Sequence, residues 1–95
     1  MIVLMVTYVA LPGREADLAA HLREMTGHTR QEPGCRAYTA HQSQKEPRKF
    51  VLYEQYDDEA ALDAHRTSDY FKRIVQGEYN NLLESRSPEF FAIVE

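Results

Sequence analysis

Apolar positions along the first half of the chain follow two different periods, which separate strands from a helix. Residues 2–9 are almost continuously apolar and rich in β-branched side chains, which predicts a strand buried on both faces. From Arg14 to Gln31 the apolar residues recur every three or four positions, which predicts a helix stopped by Pro33-Gly34. Residues 35–42 and 49–56 then follow as two further strands, joined by a polar connection at positions 43–48.

The second half of the chain returns to helical spacing and ends in a strand. Asp57 or Asp58 can cap a short helix that ends near His65, and Ser68 can cap the next. Apolar residues spaced by three and four carry that second helix to about Leu82. Ser87-Pro88 is expected to break it, and residues 89–95 are predicted to form the last strand.

The resulting order is βαββαβ with the second helical region split in two, within a single domain at 1–95. This order predicts an α+β, ferredoxin-like fold, in which both helical regions cover one face of a four-stranded antiparallel sheet.

The strands do not alternate between apolar and polar residues, although one face of such a sheet should meet water. Ile2, Leu4, Val6 and Tyr8 share one side of the first strand, and Val3, Met5, Thr7 and Val9 share the other. The helices cover only one apolar face. We therefore expect a homodimer packed sheet on sheet, because burying the second face is favourable by ~25 cal/mol per Å².

Composition narrows the functional classes. The 95 residues carry a net charge of −4, which argues against a nucleic-acid-binding surface. Residues 48–53 echo the third strand of an RNA-recognition fold, but the glycines of that motif are missing. The single cysteine, Cys35, excludes an internal disulfide and is typical of a cytoplasmic protein. No segment predicts a membrane span or a signal peptide.

His65 and Glu54 are the leading candidates for chemistry. His65 follows Leu62 by three positions, so it shares the inward face of its helix and can act as an acid or a base near neutral pH. Glu54 lies in an apolar strand, where carboxylates are rare unless paired. Two structural alternatives remain open. His65 can be a buried histidine bonded to backbone or a carboxylate, and Glu54 can bridge to a basic residue of a partner subunit.

Other site chemistries have little support. The remaining histidines are scattered without the spacing of metal ligands, and no glycine-rich phosphate loop is present. Aromatic residues make up 11% of the chain, which suits a planar organic ligand as well as an ordinary core. We expect no metal and no nucleotide cofactor.

Several strings, taken together, resemble the antibiotic biosynthesis monooxygenase family over almost the whole chain. They are Glu32-Pro33-Gly34-Cys35, Tyr38, Phe50-Val51-Leu52-Tyr53-Glu54, Ala60, Leu62-Asp63, His65, Ser68 and Tyr70-Phe71. The resemblance implies a dimeric α+β barrel. It also implies oxygenation of a quinol or polycyclic phenol by dioxygen without metal or flavin, with the substrate supplying the electrons.

The resemblance also implies roles for six residues. His65 would deprotonate or hydrogen-bond the phenol, and Tyr70 and Tyr38 would orient it. Glu54 would support the polar end of the substrate. Phe50 and Phe71 would pack against its ring.

The haem-degrading branch of that family fits poorly. Its pattern has a tryptophan in the second helical region and a histidine ligand about ten residues later. Here His65 stands at the first position and Val75 at the second, and the chain contains no tryptophan. Haem is not expected.

Two functional classes remain after this comparison. One is a cofactor-independent monooxygenase, and the other is a non-catalytic dimer that binds a small ligand or acts as an accessory. An interior around His65 that is closed and filled with rings would favour the second class.

Overall fold

Four strands and three α-helices account for most of the chain in a computed structural model that describes residues 1–95. In chain order the elements are β1 Ile2–Ala10, α1 Glu15–Thr29, β2 Cys35–Gln42, β3 Lys49–Tyr56, α2 Glu59–Arg66, α3 Asp69–Ile74, a 3₁₀ turn Glu78–Asn81, and β4 Leu83–Phe91. No helix combines the length and the apolarity needed to cross a bilayer.

The strands form one antiparallel sheet in the order β2-β3-β1-β4. β1 and β3 are central, and their register pairs Leu4 with Glu54 and Val6 with Leu52. The arrangement confirms the predicted α+β, ferredoxin-like fold and its split second helical region.

One face of the sheet carries the core beneath the helices. In β3 every second residue is buried, from Phe50 to Tyr56, as period-2 alternation requires when helices cover one side. The core combines this face with the inward residues of the helical regions. Its members are Leu4, Val6, Tyr8, Ala10, Leu18, Leu22, Met25, Tyr38, Phe50, Leu52, Ile74, Tyr79 and Leu82.

The opposite face of the sheet has no helix on it, yet it carries apolar side chains. Met5 and Tyr53 lie there half-buried as a pair across β1 and β3, and the half-buried Val51 pairs with Thr7 beside them. Phe91 adds to this open face from β4 and is 43% exposed. The predicted doubling of apolar faces is therefore present in the folded chain.

The last strand begins earlier than predicted, because Ser87-Pro88 does not break it. β4 spans Leu83–Phe91, and residues 92–95 have no regular structure. Pro88 pairs with Val6 in β4, an edge strand of the sheet. The outward-facing amides of an edge strand make no ladder bonds, so a proline is tolerated there.

The second helix of the split region is shorter than predicted. α3 ends at Ile74, and the chain then turns back into the 3₁₀ turn. A Cβ on Gly77 would lie 2.4 Å from the carbonyl oxygen of Arg73. Only glycine allows the chain to come this close to the end of α3. Gly77 therefore marks the point where the chain leaves the helix.

Candidate functional site

The elbow between α2 and α3 fixes the position of His65. Asp58 caps α2 by accepting a hydrogen bond from the Ala61 amide at 2.9 Å. The Ser68 hydroxyl donates to the carbonyl oxygen of His65 at 2.7 Å and accepts from the Phe71 amide at 3.3 Å. One hydroxyl therefore joins the end of α2 to the start of α3 and places His65 and Phe71 side by side.

His65 lies between two carboxylates from different parts of the chain. Its Nδ1 atom is 3.0 Å from Glu32 Oε2, and its Nε2 atom is 3.6 Å from Glu54 Oε1. Glu32 comes from the turn after α1, and Glu54 from the middle of the sheet. His65 is 2% exposed and Glu54 is 4% exposed. A buried histidine in this setting has a hydrogen-bonding partner on one ring nitrogen and a carboxylate facing the other.

Three aromatic rings enclose the imidazole. The ring centroids of Phe71, Tyr56 and Tyr38 lie 5.1, 5.2 and 5.9 Å from that of His65. Phe71 meets the imidazole edge to face, and the two tyrosines are tilted against it. His65 is therefore closed off by rings, which favours the alternative of a binding or accessory protein.

Burial controls the electrostatics of this cluster. Removal from water raises the pKa of Glu54, opposed by a hydrogen bond from Tyr56 and by the nearby charges of His65 and Arg86. The Tyr56 hydroxyl donates to Glu54 Oε1 at 2.5 Å, and burial with this carboxylate raises the pKa of the tyrosine. Tyr38 also has a raised pKa because it is buried. The two tyrosines therefore stay neutral near neutral pH, and Tyr56 is the one that donates a hydrogen bond to Glu54.

Tyr70 closes the cluster on the side of Glu32. Its hydroxyl donates a short hydrogen bond to Glu32 Oε2, the same oxygen that faces His65. Burial and this bond raise the pKa of Tyr70 to about 12. Its ring stacks on His28 with centroids 4.7 Å apart. The hydroxyl of Tyr70 therefore holds Glu32.

A cleft of about 580 Å³ opens beside Phe71, between the α3 region and β4. Phe71 both lines this cleft and contacts the imidazole of His65. Leu4, which pairs with Glu54 across the sheet, also reaches it. The complete lining is Leu4, Arg66, Phe71, Val75, Gln76, Asn80, Arg86, Pro88 and Phe90. Two phenylalanine rings and other apolar side chains share this lining with four polar or charged residues, which suits a planar organic ligand that carries polar groups.

Two arginines at this cleft have no carboxylate partner. Neither Arg66 nor Arg86 forms an ion pair within 4.0 Å. The Arg66 guanidinium lies 5.7 Å from the ring centroid of Phe90, and that of Arg86 lies 6.0 Å from Tyr8. Unpaired guanidinium groups beside aromatic walls are suited to an anionic or phenolic oxygen.

The structure brings together five of the six residues proposed from the sequence. Tyr38 and Phe71 contact His65, Glu54 faces it, and Tyr70 is joined to it through Glu32, as described above. Phe50 is not in this group. It precedes Glu54 by four residues on the same face of β3, about 13 Å away at 3.3 Å per residue. It lines a separate cleft of about 320 Å³ between α1 and β2.

Sequence reasoning did not assign Glu32, Tyr56, Arg66 or Arg86 to the site. Glu32 lies 33 positions from His65, and no spacing rule connects them. The one feature of the sequence that pointed to Glu32 was its place in the Glu-Pro-Gly turn. Arg86 and Phe90 lie on the same face of β4, so both reach the cleft. The sequence analysis missed Arg86 because it predicted that β4 begins only at residue 89.

Metal and thiol chemistry find no support in these residues. No three histidine, cysteine, aspartate or glutamate side chains converge as metal ligands. Burial raises the pKa of the Cys35 thiol, which keeps it protonated and unreactive. The chemistry that His65 and its two carboxylate neighbours can perform is acid–base catalysis.

Comparison with known proteins places the chain in a family. The model of the antibiotic biosynthesis monooxygenase family matches residues 1–77. The crystal structure of PA3566 from Pseudomonas aeruginosa is similar over 99% of this chain and 94% of its own, with 30% identity and a TM-score of 0.93.

Two curated relatives are longer than the chain. "Putative monooxygenase Rv0793" of Mycobacterium tuberculosis is 36% identical over 64 residues, which is 67% of this chain and 62% of the relative. "Uncharacterized protein sll1783" of Synechocystis is 26% identical over 84 residues, 88% of this chain and 57% of the relative. The chain spans about three fifths of the length of each. The match of the family model over most of the sequence and the shared fold show that this chain belongs to the antibiotic biosynthesis monooxygenase family.

Proposed function

We propose that the protein is a monooxygenase that oxidises a quinol or polycyclic phenol with dioxygen and without a cofactor. The observation that carries the proposal is the cleft itself. It has aromatic walls and two unpaired arginines, and it adjoins a histidine set between two carboxylates. Family membership supports the reaction class.

The arginines bind the substrate through its oxygen in this proposal. A planar ring enters between Phe71 and Phe90, and its phenolic oxygen lies toward Arg66 and Arg86. Positive charge near the oxygen favours the phenolate over the phenol. The phenolate is the form that transfers an electron to dioxygen, so this placement promotes the first redox step.

His65 is the proposed proton acceptor. Its Nε2 atom takes the phenolic proton, with Tyr38 and Glu54 supporting the polar end of the substrate. Phe71 lies between the imidazole and the cleft. Rotation of the partly exposed Phe71 side chain about its own torsions, driven by the entering ring, would bring the substrate to His65.

The atoms balance without an external reductant. An anthrone gives up the two hydrogens of its ring CH₂ group and gains one oxygen atom there as a carbonyl. The second oxygen atom of dioxygen leaves as water. The substrate supplies all four electrons that reduce dioxygen, and the proton held at His65 returns to the oxygen that leaves.

We also propose that two copies assemble through the open faces of their sheets. The open face carries Met5, Tyr53 and Phe91, and the apolar residues that follow it, Ile93 and Val94, are 48% and 97% exposed. Apolar patches of this kind mark interaction surfaces. A two-fold dimer would bury this face against its own copy.

Oxygen uptake tests the proposed reaction. The protein is mixed with a panel of anthrones and naphthoquinols, and uptake is compared with the autoxidation rate of each substrate alone. We expect at least one substrate to be consumed faster with protein present, with one atom of ¹⁸O₂ in the product. Rates equal to autoxidation across the panel would contradict the proposal.

The ring-filled surroundings of His65 favour one second candidate, a dimer that binds an aromatic ligand without reaction. His65 is 2% exposed and touches three rings, so it is packed as a core residue is. This candidate predicts saturable binding of an anthraquinone to the cleft with no acceleration of oxygen uptake.

A further inference from the structure

Glu32 is tied to His65 on one side and to Tyr70 on the other. Its Oε2 atom lies 3.0 Å from His65 Nδ1 and accepts the hydroxyl of Tyr70. These contacts join three segments that are distant in the chain, the turn after α1, the end of α2 and the start of α3. Glu32 is not among the residues that line the cleft.

This contact determines which ring nitrogen of His65 carries the proton. An ionised carboxylate only accepts hydrogen bonds, so the nitrogen that faces Glu32 must be the donor. Nδ1 therefore carries the hydrogen in the neutral imidazole. Nε2 is left with its lone pair, on the side of Glu54.

The surroundings hold Glu32 in this orientation. Its side chain is 14% exposed, and its Oε2 atom is fixed between the Tyr70 hydroxyl and His65 Nδ1. The backbone on either side is fixed, because the Glu32 amide donates to the Thr29 carbonyl at 3.0 Å and the Glu32 carbonyl accepts from the Cys35 amide at 3.1 Å. A carboxylate held so firmly can impose one orientation on the imidazole.

We propose that Glu32 is the positioning residue of His65. It holds the tautomer with the proton on Nδ1, so that Nε2 is free to accept a proton, and it stabilises the imidazolium that then forms. Tyr70 acts one step further out, by fixing Glu32. This inference rests on the proposed function for its kinetic part, and its structural part stands without it.

The proton transfer is complete within these groups. The O–H bond of the substrate breaks as the bond between Nε2 and hydrogen forms, and the Nδ1 proton stays on the ring, shared with Glu32. When the proton on Nε2 leaves with the departing oxygen, the neutral ring returns to its starting tautomer. No external acid or base is required.

Nitrogen-15 NMR of the His65 ring in the wild-type protein tests the structural part without substrate. We expect the neutral ring to carry its proton on Nδ1, and to lose this preference in Glu32→Leu, which removes the acceptor. A wild-type ring with its proton on Nε2 would overturn the proposal, whether or not the variant folds. The control is Glu59→Gln, an exposed carboxylate on α2, which should leave the ring unchanged.

Steady-state oxidation of an active anthrone tests the kinetic part. Glu32→Leu should lower kcat by about 10²-fold or more, the usual effect of disabling a general base, with KM unchanged. Glu32→Asp, which keeps the carboxylate, should recover part of the loss. Unchanged kcat in Glu32→Leu would overturn the proposal while the proposed monooxygenase reaction stands. Absence of oxidation in the wild type would remove the proposed function and leave the NMR result valid.

Discussion

A Cβ atom placed on Gly34 would lie 2.4 Å from the Cβ atom of Ala61. Gly34 belongs to the turn that follows α1, and Ala61 to the first part of α2. A hydrogen bond also ties the turn to the residues just before α2, since the Asp57 amide donates to the Gly34 carbonyl at 2.9 Å. This contact sets the distance between the segment that carries Glu32 and the helix that carries His65.

Gly34→Ala should therefore destabilise the fold. The added methyl group cannot be accommodated without moving α2 or the turn, and overpacking of this kind costs about 1–3 kcal/mol. Urea denaturation should give a lower free energy of unfolding. Adding Ala61→Gly should recover part of it, because that change removes the methyl group that clashes. Additive effects of the two substitutions would show that the contact is not the cause.

Glu54→Gln should stabilise the protein at neutral and alkaline pH. Burial raises the pKa of Glu54 above the 4.5 of an exposed glutamate. Between those two pKa values the folded chain keeps a proton that the unfolded chain has released. The free energy of unfolding therefore falls as pH rises through that window, by about 1.4 kcal/mol for each unit of difference.

Thermal unfolding at several pH values measures this effect. Glutamine still accepts the Tyr56 hydroxyl but never ionises, so Tm of Glu54→Gln should exceed that of the wild type at about pH 8. The difference should shrink toward about pH 4, where Glu54 is protonated in the folded chain. Glu59→Gln, which alters an exposed carboxylate, is the control. A difference in Tm between Glu54→Gln and the wild type that grew at acid pH would contradict the raised pKa of Glu54.

Arg66→Gln and Arg86→Gln should each weaken the binding of an anionic aromatic ligand. Exposed charge pairs contribute up to about 1 kcal/mol, so we expect a loss of about two- to fivefold for anthraquinone-2-carboxylate. Neutral anthraquinone should lose little, and added salt should reduce the difference. Fluorescence titration measures both ligands. Arg23→Gln, in the cleft beside α1, is the control, and an equal effect there would rule out a specific role for the arginines.

Tyr53→Lys should dissociate the proposed dimer. Tyr53 pairs with Met5 at the centre of the open face, where a charge would face its own copy across the two-fold axis. Sedimentation equilibrium should give twice the 11.0 kDa chain mass for the wild type and a single chain mass for Tyr53→Lys. Gln44→Lys, in the connection between β2 and β3, should remain dimeric. A monomeric wild type would contradict the proposal.

Most of the fold was predicted because each strand and helix shows its own periodicity within a short stretch of sequence. The α+β order and the second apolar face follow from periodicity within single strands and helices. The start of β4 was misplaced because the sequence does not reveal that this strand lies at an edge, where Pro88 is harmless. The early end of α3, in contrast, could have been predicted from the glycine at position 77.

Without the family resemblance, which supplied Tyr38, Tyr70 and Phe71, the site was predictable only where a residue was unusual in its own element. His65 on the inward face of a helix and Glu54 in an apolar strand were both found in this way. Glu32 could not be found, because its contact with His65 depends on how the turn after α1 packs against α2. Arg86 was missed for a similar reason, since its place at the cleft depends on the register of β4 against β1.

Oxygen uptake by the His65→Ala variant tests the central claim most directly. The assay uses saturating amounts of an anthrone that the wild type oxidises, with His41→Ala, an exposed histidine on β2, as the matched control. If His65 accepts the substrate proton, kcat of His65→Ala should fall by about 10²-fold or more while His41→Ala keeps the wild-type rate. An unchanged rate in His65→Ala at saturating substrate would contradict the account.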